Sequence, residues 1–425
     1  MSAWTSMNNV HDIIYGFYRG CLMKYFILGG TMSAYRIVAL PGDGTGREVM
    51  REALKVLDVI QRHGPVDFDI REIPCGGQHY LETGEQWPEG SFEICRDQSD
   101  AILLGAIGWP EARLPSGDVA GGEVILGLRS GLDLYANVRP VKLYEGILHK
   151  VHGVHKKIWD SSLVDLVMVR ENTEGLYHSL LRRMAQSAIG EKDEKLVIEK
   201  FPGLEGEVKW DPRPISRTGS ERIHRFCFDL AERRAKKLGK AQSVTCVDKS
   251  NVLRGCQLFR AIFREMSSQY PDVDAKEAYI DAFTMWLVRD PEDLDVVVLP
   301  NMFGDIATDL ASVLQGGMGM AASANLGDHH MMFEPVHGSA PRHAGKNIVN
   351  PVAMLSSLQL MLENLAIRHS DESLDVCGNI LQEAISDMLS SDGPKTYDIG
   401  GSATTSEVGD AVASRVQELL KSEFD

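Results

Sequence analysis

The chain has 425 residues, 44% of them hydrophobic, and a formal net charge of −16. That length allows two or three domains with a substantial core, and the composition is that of an ordinary globular protein. The acidic balance excludes the basic footprint of a nucleic-acid binder. Seven scattered cysteines without a C-x-x-C pair exclude a zinc ribbon or a disulfide framework, in keeping with a reducing, cytoplasmic setting.

Residues 1–34 read as an extension that is disordered or foreign to the fold, with Met32 a candidate start. Their apolar run Cys21–Leu28 is interrupted by Lys24 and is too short to span a bilayer. Tyr35–Leu40 then reads as a buried strand, followed by the turn Pro41-Gly-Asp-Gly-Thr-Gly46 and an amphipathic helix over Glu48–Ile60. The turn invites a dinucleotide-fold reading, but its glycines fall at 42, 44 and 46, which is not G-x-G-x-x-G. Without side chains, its backbone is free to approach a cofactor closely.

Asp100–Gly108 is another apolar strand ending in glycines, residues 110–122 are loop-like, and alternating strands and helices imply an α/β architecture with a largely parallel sheet. Arg129 closes an apolar helical stretch, Arg139 ends the next apolar stretch, and Arg170 ends the strand that begins at Asp165. Singly, each reads as a surface ion-pair residue; together they form a candidate clamp for a di- or tricarboxylate, because guanidinium matches carboxylate bidentately. Residues 181–219 are polar and Pro-rich, a protruding arm or long loop, with Glu207–Trp210 a candidate short strand.

A helix over Glu221–Leu238 and the strand Ser243–Val247 lead to Lys249 and Asn251. A lysine at a strand end is usually a solvated charge; beside a metal it becomes a candidate base. A helix over Gln257–Met266, the acidic residue Asp281 and the apolar run Asp295–Leu299 follow. In Asn301-Met-Phe-Gly-Asp-Ile-Ala-Thr-Asp309, helical spacing puts Asp305 and Asp309 on one face, a pairing that suits a hard divalent cation such as Mg²⁺. Alone, such a pair more often marks a solvated helix face. The Gly-, Pro- and His-rich stretch Glu334–Pro351 reads as a long functional loop, and two helices around Thr396–Gly401 end the chain.

Six segments in order carry a resemblance: Leu-Pro-Gly-Asp-Gly-Thr-Gly (40–46), Leu-Tyr-Ala-Asn-Val-Arg-Pro (134–140), Val-Arg-Glu-Asn-Thr-Glu-Gly-Leu-Tyr (169–177), Val-Asp-Lys-Ser-Asn-Val-Leu (247–253), Asn-Met-Phe-Gly-Asp (301–305) and Glu-Pro-Val-His-Gly-Ser-Ala-Pro (334–341). From Tyr35 to the C-terminus the chain resembles the β-decarboxylating dehydrogenases that act on isocitrate, isopropylmalate and related acids. The resemblance implies an isopropylmalate dehydrogenase-like α/β fold with a large mixed twisted sheet, not a Rossmann fold. It implies a first domain over 35–134 plus 317–425, a second over 135–316, and homodimers whose arms clasp.

By the same resemblance, Arg129, Arg139 and Arg170 hold substrate carboxylates, with Asn251 beside them. Asp305 and Asp309, with Asp281 of the other chain, bind Mg²⁺ or Mn²⁺. Tyr177 is the acid and Lys249, from the partner, the base side. Thr45, the segment His337, Gly338, Ser339, Ala340 and Pro341, and Asn350 line the nucleotide pocket. The implied chemistry is hydride transfer from C2 of a 2-hydroxy acid to nicotinamide, loss of the β-carboxylate as CO₂, and protonation of C3.

Two departures from the family pattern bear on specificity. Arg342 stands where NAD-using relatives carry Asp, and Tyr397 matches NADP-using ones, yet their companion arginine is Gly401; NAD and NADP both remain open. Ile125, on an apolar helix face before Arg129, and Val252 make an apolar pocket that favours 3-isopropylmalate. Arg170–Gly175 is the form more usual in isocitrate, homoisocitrate and tartrate/malate enzymes. From another class, a catalytically silent subunit of a hetero-oligomer is the rival reading.

Overall fold

The computed structural model describes residues 34–177, 213–239, 242–390 and 392–424. The expected arm over 181–219, up to residue 212, and all but the last residue of the 1–34 extension lie outside these ranges. The chain opens with β1 (Tyr35–Leu40) and α1 (Thr45–His63), which buries Val49, Met50, Ala53, Val56, Leu57 and Ile60 on one face, an apolar stripe at helical period. There follow β2 (Phe68–Glu72), α2 (Gly77–Thr83), α3 (Ser91–Asp97), β3 (Ala101–Leu104) and α4 (Gly122–Gly131). The middle of the chain supplies β4 (Ala136–Lys142), the hairpin β5 (His149–Val151) and β6 (Val154–Lys156), β7 (Asp165–Glu171), α5 (Arg217–Leu238) and β8 (Ser243–Asp248). Next come α6 (Arg254–Ser267), β9 (Asp274–Tyr279), α7 (Ile280–Arg289), β10 (Val296–Leu299) and α8 (Asn301–Ser312). The last elements are β11 (Ala322–Leu326), β12 (Met331–Pro335), α9 (Val352–His369), α10 (Glu372–Ser390) and α11 (Thr405–Phe424).

Ten strands form one mixed sheet in the order β2-β1-β3-β12-β11-β4-β7-β10-β8-β9. Its flanks are parallel, but β12, β11, β4 and β7 pair antiparallel through the centre. That reversal separates the sheet from the wholly parallel dinucleotide-binding fold, as the sequence led us to expect. Strands from residues 35–104 and 322–335 fill one half and strands from 136–299 the other; the halves meet where Ala324 pairs with Val138 and Asn325 with Asn137. A large apolar cluster runs through both halves, from Ile37 to Leu420, and a smaller one joins Val38, Leu104 and Met332 to Val124 and Leu128 of α4.

Two local expectations are revised. Arg139 lies in the middle of β4 rather than at the end of an element. Helix α5 starts four residues before Glu221, because Ser216 caps it by accepting the Gly219 N–H at 3.0 Å. The turn after β1 also uses its glycines to approach the protein's own backbone. A Cβ on Gly42 would lie 2.3 Å from the Ala106 oxygen, and one on Gly44 2.5 Å from the Ser339 oxygen.

Candidate active site

Helix α8 starts directly after β10, and its four-residue spacing presents Asp305 and Asp309 together, with side chains 37% and 55% exposed. Two buried arginines face them. Arg170 donates from Nη1 to Asp305, and from Nε and Nη2 to Asn301 Oδ1 at 2.9 and 2.7 Å. Arg139 lies 3.7 Å from Asp305 and 3.5 Å from Asp309, and is aimed by Asn137 Oδ1 at 2.8 Å and Thr308 Oγ1 at 2.5 Å. Gly304 permits this approach, since a Cβ there would sit 2.7 Å from the Arg170 side chain.

Arg129 comes from the last turn of α4 and pairs at 2.6 Å with buried Glu334 on β12. Burial lowers the pKa of Arg139 and Arg170, and the charge of Arg129 is the next cause in both, bringing Arg170 to about 10. Arg139 and Arg170 therefore both feel the charge of Arg129, and Arg170 feels that of Arg139 as well. Asp305, Asp309 and Glu334 offset them. Burial raises the pKa of Asp309, opposed by Arg139 and reinforced by the charge of Asp305.

The Tyr177 hydroxyl donates to Asp305 Oδ2 at 3.0 Å, and the Arg170 guanidinium lies 5.3 Å from its ring centre. Burial, then the charge of Asp305, raises the phenol pKa, so the group is protonated at neutral pH. Lys249 follows β8 and pairs at 2.6 Å with Asp281 in the first turn of α7, which holds that carboxyl below its usual range. Neither has a hydrogen bond or ion pair to the α8 carboxylates. Asn251 is exposed, and so is Val252, at 65%, outside both apolar clusters, whereas Ile125 packs half-buried on the smaller one. Among the described residues no three His, Cys, Asp or Glu side chains gather into a metal cluster.

Thr45 donates through N and Oγ1 to the Ser339 oxygen at 2.9 and 3.0 Å, which ties the start of α1 to the loop at 336–351. In that loop His337 bonds the Gly338 oxygen through Nδ1 at 3.0 Å, burial lowers its pKa, and Nε2 is buried with no partner among the described residues. His343 Nδ1 is likewise buried and unpaired, with its ring 5.9 Å from that of Tyr397. Gly338 and Arg342 are exposed, and Ala340 and Pro341 lie half-buried between them. Asn350 is committed internally: its oxygen accepts the Val352 N–H at the start of α9, and its amide donates to Asp398 at 3.1 Å. A Cβ on Gly401 would meet the Lys395 oxygen at 1.9 Å, so no side chain fits there.

The Isocitrate/isopropylmalate dehydrogenase family profile matches residues 36–412. The chain belongs to this family. It is 39% identical over 385 residues to a protein of Methanocaldococcus jannaschii named 3-isopropylmalate/3-methylmalate dehydrogenase, covering 90% of this chain and 99% of that one. A 3-isopropylmalate dehydrogenase of Aquifex aeolicus is 36% identical, with 91% and 99% covered. Among solved structures, an isocitrate dehydrogenase from Methylococcus capsulatus superposes with a TM-score of 0.72 at 30% identity, covering 90% of this chain and 99% of that one. A β-decarboxylating dehydrogenase from Thermococcus kodakarensis gives 0.69 at 34% identity, with 91% and 97% covered.

Sequence reasoning missed several residues in this family member's site. Asp43 is buried, accepting the N–H groups of Gly77, Gln78 and Gly108 at 2.7–2.8 Å, and so fixes two loops. Glu334, which also accepts from Asn325 at 2.8 Å, ends a ladder through Asn325 to Asn137 that spans the junction of the sheet halves. One signal was available: a carboxylate in the otherwise apolar strand Met331–Pro335 must have a partner.

Proposed function

We propose that the chain oxidatively decarboxylates a 3-substituted malate, 3-isopropylmalate foremost, using NAD or NADP and Mg²⁺ or Mn²⁺. The carrying observation is the approach of buried Arg139 and Arg170 to the carboxylates of α8, with Arg129 in their field and Tyr177 hydrogen-bonded to Asp305. A malate skeleton brings two carboxylates, which guanidinium groups bind bidentately. Ile125 lies one turn before Arg129 on α4, so the same face offers apolar contact beside that cation. This favours an alkyl 3-substituent over a third carboxylate, in line with the curated relatives' names.

Asp305 and Asp309 are partly open oxygen donors whose mutual repulsion a divalent cation relieves, so they fit Mg²⁺ or Mn²⁺ together with Asp281 of a second copy. When bound, the ion supplies Lewis-acid polarisation of substrate oxygens. When bound, the nicotinamide would supply the hydride acceptor for C2, and Lys249 of that second copy, or a water it polarises, would take the 2-hydroxyl proton. Tyr177 delivers a proton to C3 once CO₂ has left. The orphaned Nε2 of His337 and the exposed Arg342 suit the adenosine half of the dinucleotide, with Gly338, Ser339, Ala340, Pro341 and Thr45 shaping the loop and Asn350 bracing it.

Helices α7 and α8 point to the second copy. These helices carry Asp281 and the Asp305/Asp309 pair, and they and the turn after α8 expose Met285, Val288, Ile306 and Val313. A homodimer closed over that face brings exposed Val252 and Asn251 and half-buried Lys249 of one protomer to the other's arginines. The sheet halves support a division into domains at 35–134 plus 317–425 and at 135–316, the second carrying the 181–219 arm. No helix among the described residues is long and apolar enough to cross a membrane, and the six described cysteines are free and buried, which supports a cytoplasmic setting.

Steady-state assays of 3-isopropylmalate, isocitrate, homoisocitrate, D-malate and tartrate, each with NAD and with NADP plus Mn²⁺, test this reading. Turnover of 3-isopropylmalate is expected; isocitrate alone refutes the apolar-pocket argument, and no turnover at all leaves the silent-subunit reading. Arg342→Asp is expected to shift preference away from NADP. An unchanged NADP preference removes Arg342 as the determinant.

A further inference from the structure

Glu48 lies in the first turn of α1, buried at 8% exposure, and has no cationic partner among the described residues. Its Oε1 accepts the Gly345 N–H at 2.6 Å and its Oε2 the Asn347 N–H at 2.9 Å. The loop turns sharply at these positions: Ala340 and Asn347 take left-handed φ of 39° and 54°, unusual for residues with a Cβ, and Gly345 takes 75°, which glycine adopts freely. One turn of α1 thus grips the loop twice, at Ser339 through Thr45 and at Gly345 and Asn347 through Glu48. Between the two grips stand Ala340, Pro341, Arg342, His343 and Ala344. A carboxylate in the first turn of a helix is favoured by the N-terminal dipole, and the two backbone N–H groups it accepts are held in place by it.

We propose that Glu48 is the positioning residue of the nucleotide loop, holding the 339–347 backbone in the shape that receives the dinucleotide. The proposal rests on the reading of that loop as the nucleotide site. Glutamine at position 48 keeps one acceptor oxygen but turns an amide N–H toward a backbone N–H, and alanine removes both acceptors.

Glu48→Gln and Glu48→Ala are compared with the wild-type protein, with circular dichroism confirming the fold. The Gln variant is expected to raise KM for the dinucleotide about ten-fold, and the Ala variant further, because unpaired buried donors are expensive. The KM for the hydroxy acid and kcat at saturating dinucleotide stay within about two-fold, a split that general loosening does not produce. Hydrogen–deuterium exchange on the dinucleotide-free protein is expected to quicken in peptides covering 343–347 and not in β4. Where the Ala variant does not fold, the Gln variant and its exchange carry the test. Unchanged dinucleotide KM together with unchanged exchange in a folded variant overturns the proposal. Failure of the wild-type protein to bind either dinucleotide overturns the nucleotide reading instead, and exchange alone then decides whether Glu48 holds the loop.

Discussion

At the scale of single residues, the site works by pairing each charge with a group that aims it. Asn301 receives two Arg170 donors, Asn137 and Thr308 hold Arg139, and Glu334 holds Arg129. Tyr177 is the side chain whose chemistry depends most directly on this electrostatic setting. Its pKa is raised by burial and by Asp305, so the phenol keeps its proton to higher pH than a free tyrosine, and the acid form fails only on the alkaline side. Tyr177→Phe is expected to lower kcat by about 10²-fold with hydroxy-acid KM little changed, the usual worth of a general acid. A kcat within two-fold of wild type, measured across pH 6–9, removes Tyr177 from the proton-transfer role.

At the scale of elements, the α5–α6 pair holds a histidine that the site does not use. His224 of α5 is fully buried against Phe259 and Phe263, bonds the Phe259 oxygen at 2.9 Å and leaves Nδ1 unpaired. Burial lowers its pKa from 6.5 to about 3, despite the bond to Phe259. The unfolded chain therefore takes up a proton below pH 6.5 that the folded chain refuses. Stability from this residue is whole above 6.5 and is lost as pH falls toward 3, by about 2 kcal/mol between pH 6.5 and 5. Urea unfolding at pH 5 and 7.5 is expected to show this loss in the wild-type protein and a smaller one in His224→Phe. Equal losses in both proteins would contradict it.

At the scale of the whole molecule, one chain holds the arginines, Tyr177 and two carboxylates in one place and Lys249 with Asp281 in another. For this β-decarboxylating dehydrogenase the proposed two-copy site makes a direct prediction. Lys249→Ala and Asp305→Asn are each expected to be inactive alone, yet unfolding and refolding them together in equal amounts restores about a quarter of wild-type activity. Random pairing makes half the dimers mixed, and each mixed dimer holds one site with both residues intact. No recovery in verified mixed dimers would show that each site is built within one chain. The sequence by itself determined the α/β class, the apolar strands β1, β3, β7, β8 and β10, and the pairing of Asp305 with Asp309, because periodicity and i, i+4 spacing are local properties. The six ordered motifs likewise named the family. Only the tertiary structure decided that Arg139 sits mid-strand, that Glu334 balances Arg129, that Asp43 and Glu48 serve backbone N–H groups, and that Asn350 braces its loop. Those roles depend on which strands become neighbours and which loops meet them, and hydrogen bonds between residues some 200 to 300 positions apart leave no period in the chain.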